Sequence, residues 1–295
     1  MKPETRFRLT DALYLLGMAF PIVLAMLAKI LFVPASDGID ITGAYIFFSI
    51  PTPIGACPVT EAQINSWAVM LSILFLCLYL THGLRVHTQT KRQLAAEWIV
   101  EKVSNLVSAN MGEPFAAFPP FIAAILALSA LSSLLSLVGL FPPTSDINVV
   151  GGWAILVFCL ITYYKMKCGP LYYLKSFGQP VAFLTPLNII SEVATPISMA
   201  FRHYGNVLSG SVISVLIGVF LQWLSSLVLG WLPGILGEIP FLRVGLPAVL
   251  SLYFDLFSGC LQAFIFAMLT MMYVAGAFPR AEYEARRKKK KKATT

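Results

Sequence analysis

PLNIISEVATPISMAFRHYGNVLSGSVISVLIGVFLQWLSSLVLGW, residues 186–231, is a long apolar stretch that contains one arginine, Arg202. A cationic side chain at the centre of a bilayer costs about 3 kcal/mol or more, so such residues usually pair with a carboxylate or serve an ion pathway. Polar residues recur in this stretch at steps of three and four, which places them on one face of a helix. They are Glu192, Thr195, Ser198, Arg202, Asn206 and Ser209. The stretch therefore predicts either a helix stapled to a neighbour by an ion pair or a helix that carries an ion site.

The composition is that of a membrane protein. Of the 295 residues, 58% are hydrophobic and 12% are charged, and the mean hydropathy is +0.78. Soluble domains carry about 25% charged residues. The net charge of +7 does not indicate a nucleic-acid partner, because the basic residues stand in short polar segments between apolar runs and in a lysine run at 288–292. That distribution is typical of cytoplasmic segments and predicts a cytoplasmic basic tail over residues 280–295.

The first apolar run, residues 12–33, has two interpretations. A basic start, an apolar stretch and the sequence VPAS at 33–36 have the layout of a cleaved secretory signal. The run is also long enough to cross a bilayer, with Lys29 extending its ammonium group to the surface, and we favour a retained span. The region 1–66 is thus predicted as an apolar span, or a signal, followed by an external loop over residues 34–66.

Five further apolar runs follow, at residues 67–81, 115–140, 149–164, 186–231 and 245–278. Basic residues near their ends place both termini of a six-span protein in the cytoplasm, and five spans remain if the first run is removed. Residues 94–107 alternate apolar and charged side chains, which predicts a helix lying in the membrane interface. The last two runs are too long to stand upright in a core about 30 Å thick, so they must tilt or kink. The predicted fold is an all-α polytopic membrane protein that ends in a long, strongly tilted helical hairpin.

Nothing in the sequence indicates a metal or a cofactor. The five cysteines and three histidines show neither metal-ligand nor redox spacing, and no glycine-rich phosphate loop is present. We therefore expect no metal site, no cofactor and no nucleotide chemistry in this chain.

Helix geometry places the polar residues of the last two runs at different depths. Glu192 lies about 15 Å before Arg202 along the helix, in the cytoplasmic half of the membrane. Asp255 belongs to the outer half because the last run enters from outside, and Gln262 lies about 10 Å deeper on the same face. This layout predicts two half-depth polar paths separated by a fixed positive charge. The alternatives are that Glu192 reaches out to the interface, that Asp255 pairs with Arg202, and that the small polar residues only join helices.

Three motifs resemble subunit a of the F-type ATP synthases: PLNIISE at 186–192, FRHYGN at 201–206 and LQAFIF at 261–266. The resemblance extends over residues 67–279, the predicted subunit a-like membrane domain. It implies a stator subunit of the rotary Fo motor, in which Arg202 faces a ring of c subunits. There the arginine would keep the ring carboxylate ionised and prevent a short circuit between two offset half-channels.

The same resemblance implies the partners and the location. The partners are the c-subunit ring, the peripheral-stalk b subunits, the remainder of the F1Fo complex and the lipid bilayer. The location is the inner (plasma) membrane of a bacterium, with the C-terminus in the cytoplasm. The ion is either a proton or a sodium ion. Which of the two is carried depends on the carboxylate that binds it, and that carboxylate is expected on the ring.

The half-channel residues implied by the resemblance depart from the family pattern at several positions. The half-channel set is Glu192, His203, Asn206, Ser211, Asp255 and Gln262. His203 and Tyr204 replace a common Leu-Phe pair after the arginine. Ser211 stands where many members have a glutamate or histidine, and Asp255 where many have a histidine or glutamate. The outer path is therefore predicted to run through Asp255, together with His203 and water.

Two other classes of function compete with this interpretation. A self-contained secondary transporter also uses charges at the membrane midplane, but it usually shows internal repeats, and this sequence has no convincing repeat. A structural membrane subunit without transport would make the graded depths of Glu192, Arg202 and Asp255 accidental.

Overall fold

The computed structural model describes residues 9–33, 43–53, 55–84, 90–178, 182–229, 245, 249–280 and 283. Several predictions fall on other residues and lie outside the described part of the chain. They concern the basic residues before position 9, the signal-like sequence at 34–36, the basic residues at 85–89, the loop at 230–244 and the lysine tail.

The described chain is mainly helical. Its helices are α1 (Leu9–Phe32), α2 (Glu61–Thr81), α3 (Lys91–Met111), α4 (Pro119–Leu134), α5 (Ile147–Met166), α6 (Pro170–Phe177), α7 (Thr185–Leu229) and α8 (Val249–Ala277). Short 3-10 turns lie at Glu113–Phe115, Leu135–Val138, Pro143–Ser145 and Ala182–Leu184, and the part of α8 at Leu252–Ser258 is π-helical. Two antiparallel strands, β1 (Ile46–Thr52) and β2 (Gly55–Thr60), form a hairpin before α2.

Six helices of the described residues are long and apolar enough to cross a membrane. They are α1, α2, α4 with its 3-10 extension, α5, α7 and α8. The predicted all-α polytopic fold is confirmed, and each apolar run corresponds to one of these helices. Residues 94–107 are helical, as predicted, within α3. The position of α3 in the membrane interface stays a prediction.

The segment before α2 differs from the prediction of a loop over residues 34–66. Residues 46–60 contain the β-hairpin, and α2 begins at Glu61, before the apolar run that predicted it. The side chain of Thr60 caps the helix by accepting a hydrogen bond from the backbone N–H of Gln63, 3.4 Å away. A threonine cap followed by an acidic residue is a local start signal that hydropathy does not detect.

An ion pair at each end joins α1 to the adjoining helices. Near one end, the Arg92 guanidinium lies 2.6 Å from the carboxylate of Asp11. At the other end, the ammonium of Lys29 lies 3.3 Å from the buried carboxylate of Glu61 and donates to the carbonyl of Gly139 at 2.8 Å. Lys29 thus binds protein groups, whereas the sequence suggested that it extends to the membrane surface.

The α7–α8 pair is the predicted long hairpin. Helix α7 has 45 residues, which corresponds to a length of about 68 Å, more than twice the thickness of a hydrocarbon core. Pro196 lies inside it. A helix of this length cannot stand upright within one bilayer, so its length supports the predicted tilt.

The main core lies behind the middle of α7 and joins α3, α4, α5 and α8. Its large, fully buried side chains include Met111, Ile122, Val157, Met199 and Phe266. Helices α4 and α8 approach closely where Gly259 faces Ser133, since a Cβ on that glycine would lie 2.8 Å from the serine Cβ. This close packing gives α7 a firm support on one side and leaves its other side exposed.

Candidate functional site

Arg202 lies on the exposed face of α7. It makes no hydrogen bond or ion pair with any residue that the structure describes, so neither Glu192 nor Asp255 pairs with it. Many other exposed side chains of α7 are large and apolar; they include Val193, Ile197, Phe201, Leu216, Phe220 and Trp223. An exposed helix surface that is largely apolar and carries a single charge is typical of a surface that meets lipid or another protein. The interpretation of Arg202 as a staple between two helices of this chain is not supported by the described contacts.

Glu192 faces inward instead, where three helices meet. Its carboxylate lies 2.8 Å from the ammonium of Lys165 on α5 and accepts a hydrogen bond of 3.2 Å from the hydroxyl of Tyr173 on α6. Only 7% of the Glu192 side chain is exposed. The prediction that places Glu192 inside a polar path therefore agrees better with these contacts than the alternative of a side chain reaching out to the interface.

A cavity of about 640 Å³ opens beside this carboxylate. Its walls come from α5, α6, α7 and the end of α8, and they carry polar groups from Asn188, Ser191, Thr195, Tyr172 and Tyr273 besides Glu192 and Lys165. Water can occupy a polar cavity of this size, because water needs about 30 Å³ per molecule and two or more polar partners. The cavity can thus provide an aqueous path that ends on the inner side of α7.

Tyr173 stays a hydrogen-bond donor at ordinary pH. Burial, and secondarily the negative charge of Glu192, raises the pKa of its phenol above the usual value of 10.0. The neutral hydroxyl and the ammonium of Lys165 together hold the Glu192 carboxylate in one position.

Sequence reasoning did not include Lys165 or Tyr173 in the site. In the sequence, Lys165 is one of the basic residues near the ends of the apolar runs, and such residues mark the cytoplasmic end of a span. The sequence did contain one signal for this ion pair. A lysine ends one span, and a glutamate lies near the start of another span that enters from the same side. Tyr173 lies in the short helix α6, for which the sequence offered no apolar run and no signal of contact with Glu192.

Asn206 joins α7 to α8 through a reciprocal pair of hydrogen bonds. Its amide nitrogen donates to the hydroxyl of Ser258 at 2.8 Å, and that hydroxyl lies 3.0 Å from the amide oxygen. One turn further along α7, Gly210 faces Phe254, with a Cβ-to-ring-carbon distance of 3.1 Å if a Cβ were present. The two helices are therefore held closely together just beyond Arg202.

Asp255 lies in the π-helical part of α8, three residues before Ser258. It is partly buried, and it accepts a hydrogen bond from the hydroxyl of Ser251 in the same helix. Gln262, which the sequence placed on the same helix face as Asp255, is 5% exposed and lies among buried residues of α8. The expectation that the two share one face assumed a regular α-helix between them. A π-helical turn has i→i+5 hydrogen bonds, so it changes the angle between residues seven positions apart.

Ser211 and His203 are not brought together with Asp255. The hydroxyl of Ser211 is exposed and donates to the carbonyl of Leu208 in its own helix at 2.8 Å. His203 is fully buried, and its Nε2 lies 3.3 Å from the hydroxyl of Ser129 on α4. An imidazole in this position does not face the exposed surface on which Arg202 lies. The predicted combination of His203 with Asp255 in one path is not supported by these contacts.

Comparison with known proteins gives the family to which the chain is similar. A family model described as "ATP synthase A chain" matches residues 63–275. "ATP synthase subunit a" of Legionella pneumophila, strain Philadelphia 1, is 26% identical over 234 residues, which are 79% of this chain and 92% of that protein. "ATP synthase subunit a" of Bacillus pumilus is 32% identical over 198 residues, or 63% of this chain and 79% of that protein. "ATP synthase subunit a, sodium ion specific" of Propionigenium modestum is 27% identical over 246 residues, or 77% of this chain and 76% of that protein.

Proposed function

The chain belongs to the ATP synthase A chain family, and from that premise we propose how its residues move ions. As a member of this family it is the ion-translocating stator subunit of the rotary Fo motor, embedded in a membrane and assembled with the rest of the F1Fo complex. A self-contained secondary transporter is not favoured. The assignment of individual residues, partners and sides of the membrane is our proposal.

Arg202 is the charge that separates the two half-channels and faces the carboxylates of a c-subunit ring. The observation that carries this proposal is the exposure of Arg202 on α7 without a hydrogen-bond or ion-pair partner among the described residues. A charge on a membrane-facing surface needs a counter-charge from another molecule, because an unpaired ion in hydrocarbon is costly. An ionised carboxylate on a rotor is such a counter-charge, and a planar guanidinium that never loses its proton keeps it ionised.

The cavity beside Glu192 is the inner half-channel. The proposal is supported by the polar walls of the cavity and by the carboxylate held at its edge by Lys165 and Tyr173. The carboxylate favours a positive ion, and the ammonium of Lys165 limits how strongly any ion is retained. An ion is thus attracted to the cavity but not trapped there.

The outer half-channel involves Asp255, Asn206 and Gln262, whereas Ser211, exposed and bonded within its own helix, is not assigned to it. The joined amide and hydroxyl of Asn206 and Ser258 lie close in the chain to Asp255 and Arg202, which supports a polar route along the α7–α8 contact. Asp255 is the titratable group of this route. His203 is left out of the route because it is buried on another side of α7.

The cytoplasmic side is the one on which the cavity opens. Lys165, Lys167 and Arg280 lie near it: the Lys167 ammonium is 5.8 Å from the ring centroid of Phe278, and Arg280 donates to the carbonyl of Met111. Basic residues at one end of several spans favour the cytoplasmic face. The C-terminus then lies in the cytoplasm of a bacterium, and the membrane is its inner membrane.

The first span is retained in the mature protein. Glu61 is 5% exposed, and Lys29 of α1 supplies its counter-charge. Removal of α1 would leave a buried carboxylate without its cation, which is destabilising. N-terminal sequencing or mass measurement of the purified chain decides between retention and cleavage.

The function is tested by purifying the complex through a tag on this chain. We expect an oligomeric ring of small two-helix c subunits and the peripheral-stalk b subunits to co-purify. In sealed vesicles the complex should pump ions when ATP is added, and runs with and without added Na⁺ identify the ion. A chain that purifies alone and transports a solute without ATP or a ring would contradict the proposal and favour a secondary transporter.

The two half-channels are tested by thiol labelling in a chain whose native cysteines are replaced. Glu192→Cys should react with a small water-soluble thiol reagent added on the cytoplasmic side, and Asp255→Cys with the same reagent added outside. Ile155→Cys, on an exposed apolar position of α5, is the matched control and should react from neither side. Labelling of both positions from one side would refute opposed half-channels.

A further inference from the structure

One imidazole in the middle of the bundle has no part in the proposed paths. His203 follows Arg202 on α7 and is fully buried among three other helices. Its Nε2 lies 3.3 Å from the hydroxyl of Ser129 on α4. Its ring meets Trp153 of α5 and Phe266 of α8 edge-on, with centroids 6.0 Å and 5.7 Å away. The second ring nitrogen, Nδ1, has no hydrogen-bond partner among the described residues.

These surroundings favour a neutral imidazole that does not carry protons. Two aromatic rings form an apolar environment, in which a charged group is costly. The preceding residue, Arg202, carries a guanidinium, and a second positive charge beside it would be repelled. His203 also forms no ion pair with a carboxylate in the described part of the chain. A task other than proton transfer must explain a buried polar side chain here.

The position of His203 on the helix determines where Arg202 points. An α-helix has 3.6 residues per turn, so neighbouring side chains point in directions about 100° apart. With Met199, Ala200 and His203 facing the core, Phe201 and Arg202 must face outward. A rotation of α7 by one residue position would move the guanidinium away from that face.

Apolar packing alone fixes such a rotation poorly. The hydrophobic effect is not directional, whereas a hydrogen bond requires a narrow range of angles and distances. In the described structure, the His203–Ser129 contact ties this part of α7 to α4, and the Asn206–Ser258 pair ties it to α8. A single buried polar residue can fix the register of packed helices at a cost in stability, as buried asparagine does in coiled coils.

We propose that His203 is a positioning residue whose hydrogen bond to Ser129 sets the rotation of α7 and so holds Arg202 on the exposed face. The consequence for ion transport rests on the proposed role of Arg202. The effect of His203 on the rotation of α7 does not depend on that role, and it can be measured separately.

The rotation is measured with a disulfide. Asn206→Cys and Ser258→Cys are introduced together in a chain whose native cysteines are replaced, because these side chains are in contact across α7 and α8. Adding His203→Leu keeps a similar volume and removes the bond to Ser129. We expect the rate of disulfide formation under mild oxidation to fall about fivefold, the factor that corresponds to one net hydrogen bond. His203→Gln, whose amide can still reach Ser129, should restore the rate.

A second cysteine pair is the control for the fold. Ser133 and Thr144, whose hydroxyls lie 3.3 Å apart, join α4 to the turn before α5 through a hydrogen bond in which no residue of α7 takes part. The disulfide between Ser133→Cys and Thr144→Cys should form equally fast with histidine or leucine at position 203. Slower formation of both disulfides would mean that the fold has loosened generally, and it would overturn the inference.

Function and stability should separate in the same variants. His203→Leu removes an unpartnered buried nitrogen, so we expect an equal or higher midpoint of thermal unfolding for the purified complex. We expect ATP-driven pumping per assembled complex to fall about fivefold, in proportion to the lost hydrogen bond. Ser129→Ala should lower both quantities, because it leaves Nε2 without its partner as well. A residue that only fills space would change stability and pumping together.

The disulfide rate and the pumping rate together distinguish three outcomes. An unchanged disulfide rate in His203→Leu overturns the inference, whatever the pumping rate. A slower disulfide with unchanged pumping supports the rotational role and counts instead against the proposed function of Arg202. A slower disulfide with reduced pumping and retained stability supports both.

Discussion

Sealed vesicles that contain Arg202→Ala are expected to show no ATP-driven ion pumping above background and no ATP synthesis, with normal amounts of the protein in the membrane. Arg202 is exposed on α7 and makes no hydrogen bond or ion pair with other described residues, so its removal should not impair insertion. Without the fixed charge, a ring carboxylate can pass from one half-channel to the other while protonated. The passive ion leak through the membrane should then rise while coupled transport is lost.

Arg202→Lys should restore little of the activity. A lysine is a compact point charge that loses its proton readily when buried, whereas the guanidinium is planar and permanently charged. The matched control is Ser226→Ala on the same helix, which removes an exposed hydroxyl bonded only to its own helix and should pump normally. Near-normal pumping by Arg202→Ala, measured with a pH-sensitive dye in vesicles of verified content, would rule out the proposed role.

Asp255→Asn should produce the second large effect, a strong fall in ion flow with normal assembly. An amide keeps the size and hydrogen bonding of the carboxyl group but cannot titrate. Asp255→Glu and Asp255→His should keep part of the flow, because both side chains titrate. Ion flow and the amount of assembled complex are measured on the same membranes.

The structural alternative for Asp255 makes a different prediction. If the carboxylate stabilised the fold through a buried ion pair with Arg202, losing it would cost about 3–5 kcal/mol and reduce assembly. The described contact of Asp255 is with Ser251 of its own helix, and this makes a large loss of assembly unexpected. Ser251→Ala, which removes that hydroxyl and leaves the carboxylate, is the control. Normal flow with reduced assembly in Asp255→Asn would show that the residue is structural.

The spans and the residues of α7 could be predicted from the sequence because both depend on local information. An apolar run of about 20 residues signals a span wherever it occurs, and helical periodicity assigns side chains to faces. The early start of α2 escaped this reasoning because a threonine cap and a glutamate do not raise hydropathy. The β-hairpin before it escaped for the same reason, since its strands are short and separated by turn residues.

Contacts between helices could not be predicted in the same way. Lys165 and Glu192 are 27 residues apart on different helices, and only the packing of α5 against α7 brings them to 2.8 Å. Periodicity gives the direction in which His203 points relative to Arg202, but it does not say whether water, lipid or Ser129 lies there. The π-helical turn at Leu252–Ser258 cannot be read from hydropathy or helical periodicity. It changes the angle between the side chains of Asp255 and Gln262, which were expected on one face.

The ion pairs at the two ends of α1 make the association of the first two spans directional. Negative Asp11 and positive Lys29 stand at opposite ends of α1. Asp11 meets positive Arg92 at the start of α3, and Lys29 meets negative Glu61 at the start of α2. If α1 were inserted with the reverse orientation, like charges would meet at both ends and repel each other. The two ion pairs thus give α1 one preferred orientation against α2 and α3, and a reversed α1 would be disfavoured at both of its ends.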